Sequence, residues 1–366
     1  MTNPPLVSVV VPCYNSASLL LECVPTILAQ DYANFELLIM DNCSSDNTPE
    51  ALRLFHDPRL KHVRNESNIG HLRNFNKGIG LSHGKYVLLV AADDFLVDYA
   101  LLSRYVDMME RNPDAGYVFC PAVDEKRQLL PFTNLGSADH VWNGRRFLRE
   151  LLWQNRLVMS AVMVRKACYL QTSVFPLDLP YAADWYLWLI LALHYKVAYL
   201  ARPMIFWRVH EQSLTTSFLS TGAAAGLWED IEVLWRISRQ AALGGAASLA
   251  RTCKASIAFR VATILASEPR SDSRDPLRET KFEDMLACRA DSAKDAADMK
   301  AQVYAFLADQ LAACGDLLGA AANYRRSLAL RPRWLKTWAK CALFHCGAHG
   351  ARAKQIYAAM RSRQLG

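Results

Sequence analysis

Long apolar runs alternate with helical patterns over the first half of the chain. Residues 6–11, 35–40 and 86–90 are nearly unbroken apolar segments, which reads as strands buried on both faces. Residues 60–63 form a short strand. Between them, residues 18–30 and 70–81 carry a helical period. Thr48-Pro49 supplies a cap and a first-turn residue for a helix over 50–56. Asp98 is placed to cap a helix reaching Arg111. Residues 117–121 read as a strand, 143–153 as a helix, 161–164 as extended and 184–194 as a helix. This alternation predicts an α/β, Rossmann-like fold: a mixed, mostly parallel sheet with flanking helices. After residue 222 the strand signal stops. Helical periods over 224–242, 246–267, 298–314, 317–330, 333–345 and 350–362 predict an all-α C-terminal region, with an exposed loop at 268–276. The expected domains are therefore 1–222 and 223–366. Gly315-Asp316, Ala320-Ala321, Tyr324, Ser327-Leu328 and Pro332 fit one tetratricopeptide-like hairpin near 300–345.

Composition narrows the class. The 366 residues suit two domains, and 52% hydrophobic content is ordinary for a globular chain. No run of about 18 uncharged apolar residues predicts a membrane span. Met1-Thr2-Asn3-Pro4-Pro5 lacks the basic start of a secretory leader. The ten cysteines include no C-x-x-C pair, and Cys13, Cys23, Cys120 and Cys168 sit among apolar residues. They read as reduced core residues of a cytoplasmic protein. The net charge of +7 is uneven: residues 1–223 hold 20 Lys+Arg and 21 Asp+Glu, residues 224–366 hold 22 and 14. From Arg325 onward there are ten basic residues and no acidic one. That is either a solvated helical face or a surface for an acidic partner, such as a protein or the anionic inner face of a membrane. No recognition motif accompanies the charge, so no nucleic acid is expected.

The chemistry lies where apolar strands run into polar residues, because an open parallel sheet binds ligands at its strand ends. The first strand ends Pro12-Cys13-Tyr14-Asn15, where Tyr14 either offers a ring to a base or wedges the loop. The second ends Asp41-Asn42-Cys43-Ser44-Ser45-Asp46; Asp41 either accepts from an imide N–H or forms a turn. Next comes Asn68-Ile69-Gly70 with Arg73-Asn74, Arg73 lying one turn into a helix. The fourth cluster is Asp93-Asp94, two adjacent carboxylates that need a cation to offset their repulsion.

Together these four clusters resemble family 2 inverting glycosyltransferases of the GT-A fold, over roughly residues 5–218. The resemblance implies that Tyr14 stacks on the base and that Pro12, Asn15 and Asn68 belong to the nucleotide site. It also implies that Asp41 and Arg73 hold the base. Asp93 and Asp94 would meet the ribose and the metal-bound diphosphate, both as ligands of a Mg²⁺ or Mn²⁺ ion that bridges Asp94 to the diphosphate. The family's Asp-x-Asp-Asp pattern has Ala91 here at its first position. Ala183-Asp184-Trp185-x-Leu187-Trp188 resembles the segment carrying the catalytic base, which makes Asp184 the base; Ala183 stands where the family has Glu. As a bare sequence feature, Asp184 is also a good helix cap. Trp207-Arg208-Val209-His210-x-x-Ser213 resembles a segment whose Arg208 and His210 would neutralise the diphosphate, with His210 a further metal ligand.

The resulting expectation is an inverting, metal-dependent transferase. It would move a sugar from a UDP- or dTDP-sugar to a saccharide or lipid-linked acceptor hydroxyl, in surface polysaccharide or glycoconjugate synthesis. A sugar nucleotidyltransferase would need a Gly-rich loop with Arg and Lys where Cys13-Tyr14-Asn15-Ser16 stands. The alternative is a non-catalytic nucleotide-sugar-binding or scaffold protein, which Ala91 and Ala183 would favour.

Overall fold

The computed structural model describes residues 5–210, 213, 216, 223–266, 276–337, 340 and 341. The chain forms two compact units, residues 1–229 and 230–366.

In the first unit, β1 (Val7–Cys13) is buried along its whole length and pairs in parallel with both β2 (Phe35–Asp41) and β4 (Tyr86–Leu89). β3 (Leu60–Arg64) joins β2 in parallel as an edge strand. Beyond β4 the sheet becomes mixed. β9 (Val162–Arg165) runs antiparallel to β4 and to β6 (Ala115–Phe119). β10 (Lys196–Tyr199) is parallel to β6, and β8 (His140–Trp142) closes the edge antiparallel to β10. The order is β3-β2-β1-β4-β9-β6-β10-β8.

Alternate residues of β1 face opposite layers, as the two-residue strand period requires. Val7, Val9 and Val11 share a core cluster with Leu20, Val24 and Ile27 of α1 (Ala17–Leu28) and with Leu102, Tyr105 and Met109 of α4 (Leu101–Arg111). Val10 and, on β2, Met40 meet α3 (His71–Leu81) at Gly78. A Cβ built there would lie 2.5 Å from the Val10 side chain, so only glycine lets the helix lie this close to the sheet.

Two caps differ from expectation. The helix after β2, α2 (Thr48–Leu52), includes Thr48, and Asp46 accepts from its backbone N–H instead. Asp98 precedes its helix by a turn: its carboxylate accepts from Ala100 N–H, and α4 starts at Leu101.

Five short strands were not legible in the sequence: β5 (Phe95–Leu96), β7 (Ala122–Val123), β8, β10 and β11 (Ile205–Phe206). Of these β5, β11 and β7 form a separate three-stranded sheet. Phe206 pairs with Phe95 across it, and their rings stack at 4.2 Å. This small sheet carries the segment after Phe206 to the end of β4. The other helices of this unit are α5 (Gly144–Leu151), α6 (Lys166–Gln171) and α7 (Ala183–His194).

The second unit is helical where described. α8 (Ala223–Leu243) begins in the first unit and runs into the second, followed by α9 (Ala247–Ala266), α10 (Pro276–Arg289), α11 (Ala293–Ala313) and α12 (Leu317–Leu330). The last two make a hairpin whose turn has Gly315 at φ 88° and Asp316 capping Gly319 N–H. Ala308 and Ala312 pack there on Ala320, Tyr324 and Leu328. α10 was not anticipated. The expected helix at 350–362, most of the loop at 268–276 and part of 333–345 lie outside the described residues. Among the basic residues after 324, Arg331 pairs with Asp298 at 3.2 Å and Lys340 with Asp309 at 2.7 Å. No helix among the described residues is long and apolar enough to cross a membrane. The nine described cysteines are free thiols.

Candidate active site

Parallel pairing brings the ends of β1, β2 and β4 to one edge of the sheet. Cys13 is opposite Asp41, and Val90 N–H still bonds to Val10 C=O before the chain turns away. The loops leaving β1 and β2 are locked together by side chains. Pro12 is buried within the strand. Asn15 takes a left-handed conformation at φ 51°, which asparagine tolerates. Its side-chain oxygen accepts from Ser45 N–H, and its own N–H donates to Ser44 Oγ. Asp46 accepts from Ala17 N–H at the start of α1 and from Thr48 at the start of α2. Burial opposes its charge, but these donors outweigh that and keep its pKa below the usual range. Tyr14 stays 48% exposed in the loop that follows β1.

Asp41 takes the turn-forming alternative. Its side chain is fully buried, and it accepts from Ser44 N–H at 2.8 Å and from Arg64 at 2.8 Å, with His62 at 3.3 Å. Arg64 is its register partner on β3. Desolvation works against the carboxylate, yet Ser44, His62 and Arg64 together hold its pKa below normal. Asp41 therefore presents no exposed oxygen to a base; it ties β2, β3 and the Ser44 turn together. Asn68 is also occupied, accepting from Asn42 at 2.7 Å and from Gly70 N–H at 2.9 Å. A run of amides continues inward. Asn65 donates to Asn42 and Asn74, and Asn74 donates to Met40 C=O. This network, which the sequence did not reveal as a unit, fixes the entry to α3. Gly70 sits there at φ 82°, a conformation other residues rarely adopt. Arg73 is exposed on the first turn of α3, while Leu72, Asn74 and Phe75 turn inward.

The adjacent carboxylates have different fates. Asp93 is part-exposed, and its Oδ2 lies 3.1 Å from His210 Nε2. Asp94 is buried. One oxygen accepts from Ser160 Oγ at 2.5 Å and the other from Arg208 N–H at 3.0 Å. Burial, then the neighbouring Asp93 charge, push the Asp94 carboxyl up to about 8. Ser160 also accepts from Ala91 N–H. Asp94 thus joins three segments of the fold, and the metal-bridging role expected of it has no outward-facing oxygen to serve it. The Arg208 guanidinium is paired with Glu22 of α1 at 2.6 Å and lies over the rings of Phe206 and Phe95. The Arg208 hydrogen bond, more than its charge alone, lowers the Glu22 pKa.

Asp184 lies in the first turn of α7, where the helix dipole favours a carboxylate. Its Oδ2 accepts from Asn155 Nδ2 at 3.1 Å and its Oδ1 from Trp185 N–H at 2.6 Å. Asn155 and Ser160 belong to one short segment, so their α-carbons are at most about 17 Å apart. One end of that segment holds Asp184 and the other holds Asp94. Asn155, Ser160 and Glu22 were all missed in the sequence, because each is a lone polar residue without a motif around it.

Residues 8–161 match the model of glycosyl transferase family 2. The chain carries a family 2 glycosyltransferase domain. Glycosyltransferase GlyG of Streptococcus pneumoniae is 35% identical over 111 residues, covering 30% of this chain and 37% of GlyG. The putative colanic acid biosynthesis glycosyl transferase WcaA of Escherichia coli is 32% identical over 96 residues, covering 26% of this chain and 34% of WcaA. The matched regions thus span little more than a third of either relative. Among solved structures, S. aureus TarS 1–349 in complex with UDP-GlcNAc superposes with a TM-score of 0.61 at 17% identity, covering 90% of this chain and 92% of that one. The glycosyltransferase domain therefore has the GT-A architecture, a mixed sheet of mainly parallel strands with flanking helices, followed by a helical region.

Proposed function

We propose that the first unit transfers a sugar from a nucleoside diphosphate sugar, UDP- or dTDP-linked, to an acceptor hydroxyl with inversion at the anomeric carbon. The observation that carries this is the Asp93–His210 pair, 3.1 Å apart at the mouth of the strand-end loops. A carboxylate and an imidazole so placed suit a divalent cation that completes its shell with diphosphate oxygens and water. Asp93 and His210 would hold Mg²⁺ or Mn²⁺, and the ion would supply charge stabilisation for the departing diphosphate. Asp94 would support this site from behind.

The remaining roles complete the proposal. Tyr14 covers one face of the base. Arg208 would exchange Glu22 for a diphosphate oxygen. Asp184, oriented by Asn155 and Trp185 N–H, takes the proton of the acceptor hydroxyl. As that oxygen bonds to the anomeric carbon, the bond to the diphosphate breaks and its electron pair leaves with the nucleotide. The UDP-GlcNAc complex of TarS supports a nucleotide-sugar donor, and the likeness to WcaA, a putative colanic acid biosynthesis enzyme, supports a place in polysaccharide synthesis; a saccharide or lipid-linked acceptor completes the reading.

Incubation with UDP- and dTDP-sugars and Mn²⁺ tests this reading. Slow release of the nucleoside diphosphate from at least one donor is expected, since water can replace the acceptor. Binding without release would identify the non-catalytic alternative. The Glu22–Arg208 pair gives a second expected result. Glu22→Gln frees Arg208 and tightens UDP binding by up to about fivefold, the range of a partly exposed ion pair. Calorimetric titration reads it; unchanged or weaker affinity would exclude Arg208 from the diphosphate site.

A further inference from the structure

The helix bearing Asp184 lacks a cap of its own. Its N-cap residue is Ala182, whose side chain accepts nothing. The missing acceptor comes from a distant part of the chain. Glu229 of α8, the last residue of the first unit, places one carboxylate oxygen 2.8 Å from Tyr181 N and 3.0 Å from Ala182 N. Both N–H groups belong to the turn that leads directly into Asp184. The same turn is gripped on its other side, where Pro180 C=O lies 3.2 Å from His71 Nε2 of α3. Gly226, one turn before Glu229, lets α8 lie against Tyr181. A Cβ there would come within 2.9 Å of the ring.

We propose that Glu229 is a positioning residue for Asp184. Its carboxylate closes the N-terminus of α7 and sets the direction from which the base meets the acceptor. Without it, two donors beside the reactive centre lose their acceptor, and the turn carrying Asp184 relaxes. A displacement of about 1 Å at a reacting group is enough to lower turnover by up to about a hundredfold. The proposal rests on Asp184 acting as the base, so its test has one arm that needs no activity.

The full-length chain is compared as wild type, Glu229→Ala and Glu229→Gln. In the first arm, amide hydrogen exchange is followed over the peptide 176–188. Glu229→Ala is expected to speed exchange at Tyr181 and Ala182 about tenfold or more. Glu229→Gln, whose amide oxygen can accept both N–H groups, keeps wild-type protection. In the second arm, UDP release from UDP-GlcNAc with Mn²⁺ is measured. Glu229→Ala is expected to lower kcat about tenfold or more while the donor KM stays within about twofold, and Glu229→Gln to recover most of kcat. A melting temperature shared by the three proteins shows that folding is intact. Unchanged exchange in Glu229→Ala overturns the clamp. Altered exchange with unchanged kcat, or equal losses in Ala and Gln variants, overturns its role in positioning Asp184. A wild-type protein that releases nucleoside diphosphate from none of the UDP- and dTDP-sugars overturns the catalytic reading itself, and the exchange arm then shows separately whether the clamp exists.

Discussion

Asp184→Asn is expected to lower the turnover of sugar transfer by about 10²–10⁴-fold, the usual worth of a positioned general base. UDP affinity should stay within about twofold of wild type. The substitution keeps the volume and one of the two acceptor contacts: the single amide oxygen can accept from Asn155 Nδ2 or from Trp185 N–H, not from both. What it removes is the ability to take a proton. Steady-state kinetics of UDP release, together with calorimetric titration of UDP, separates the two effects. Parallel loss of turnover and affinity would make Asp184 a residue of the nucleotide site or of the fold.

The second large effect divides Asp94 from Asp93. Asp94→Ala leaves Ser160 Oγ and Arg208 N–H without their buried acceptor. Loss of two buried hydrogen bonds, with a cavity in their place, is expected to cost about 3 kcal/mol of folding stability. Asp93→Ala removes a part-exposed group whose carboxylate faces His210. Its melting curve should match wild type, while Mn²⁺-dependent tightening of UDP binding disappears. Urea unfolding and UDP titration with and without Mn²⁺ read both variants. If Asp94→Ala unfolds normally and loses the metal effect while Asp93→Ala keeps it, the roles are reversed.

This division could not have been made from the sequence. Adjacent carboxylates at a strand end look alike until it is known which one faces Ser160, and Ser160 lies on a segment 66 residues further along. Asp41 is a similar case. A polar strand end was legible, but its capture by Arg64 depends on the register of β2 against β3. The parallel half of the sheet was legible because β1, β2 and β4 are apolar on both faces, a pattern with few other solutions. The strands β5 and β11 were not, because two residues carry no period. Yet the pairing of Phe95 with Phe206 brings Arg208 and His210 to the two aspartates. The recurrence of Arg208-x-His210 after the base segment pointed to that outcome without supplying its cause. Glu229 had no signal at all: it acts across 47 residues of chain on backbone N–H groups, which leave no trace in side-chain patterns.

The most direct measurement is the configuration of the sugar at its first appearance. Proton NMR during hydrolysis of an α-linked donor such as UDP-GlcNAc, with Mn²⁺, resolves the two anomers before they equilibrate. The β-anomer is expected first, and its formation should disappear in Asp184→Asn. The α-anomer appearing first, or β release that survives loss of Asp184, would contradict a single displacement facing that carboxylate.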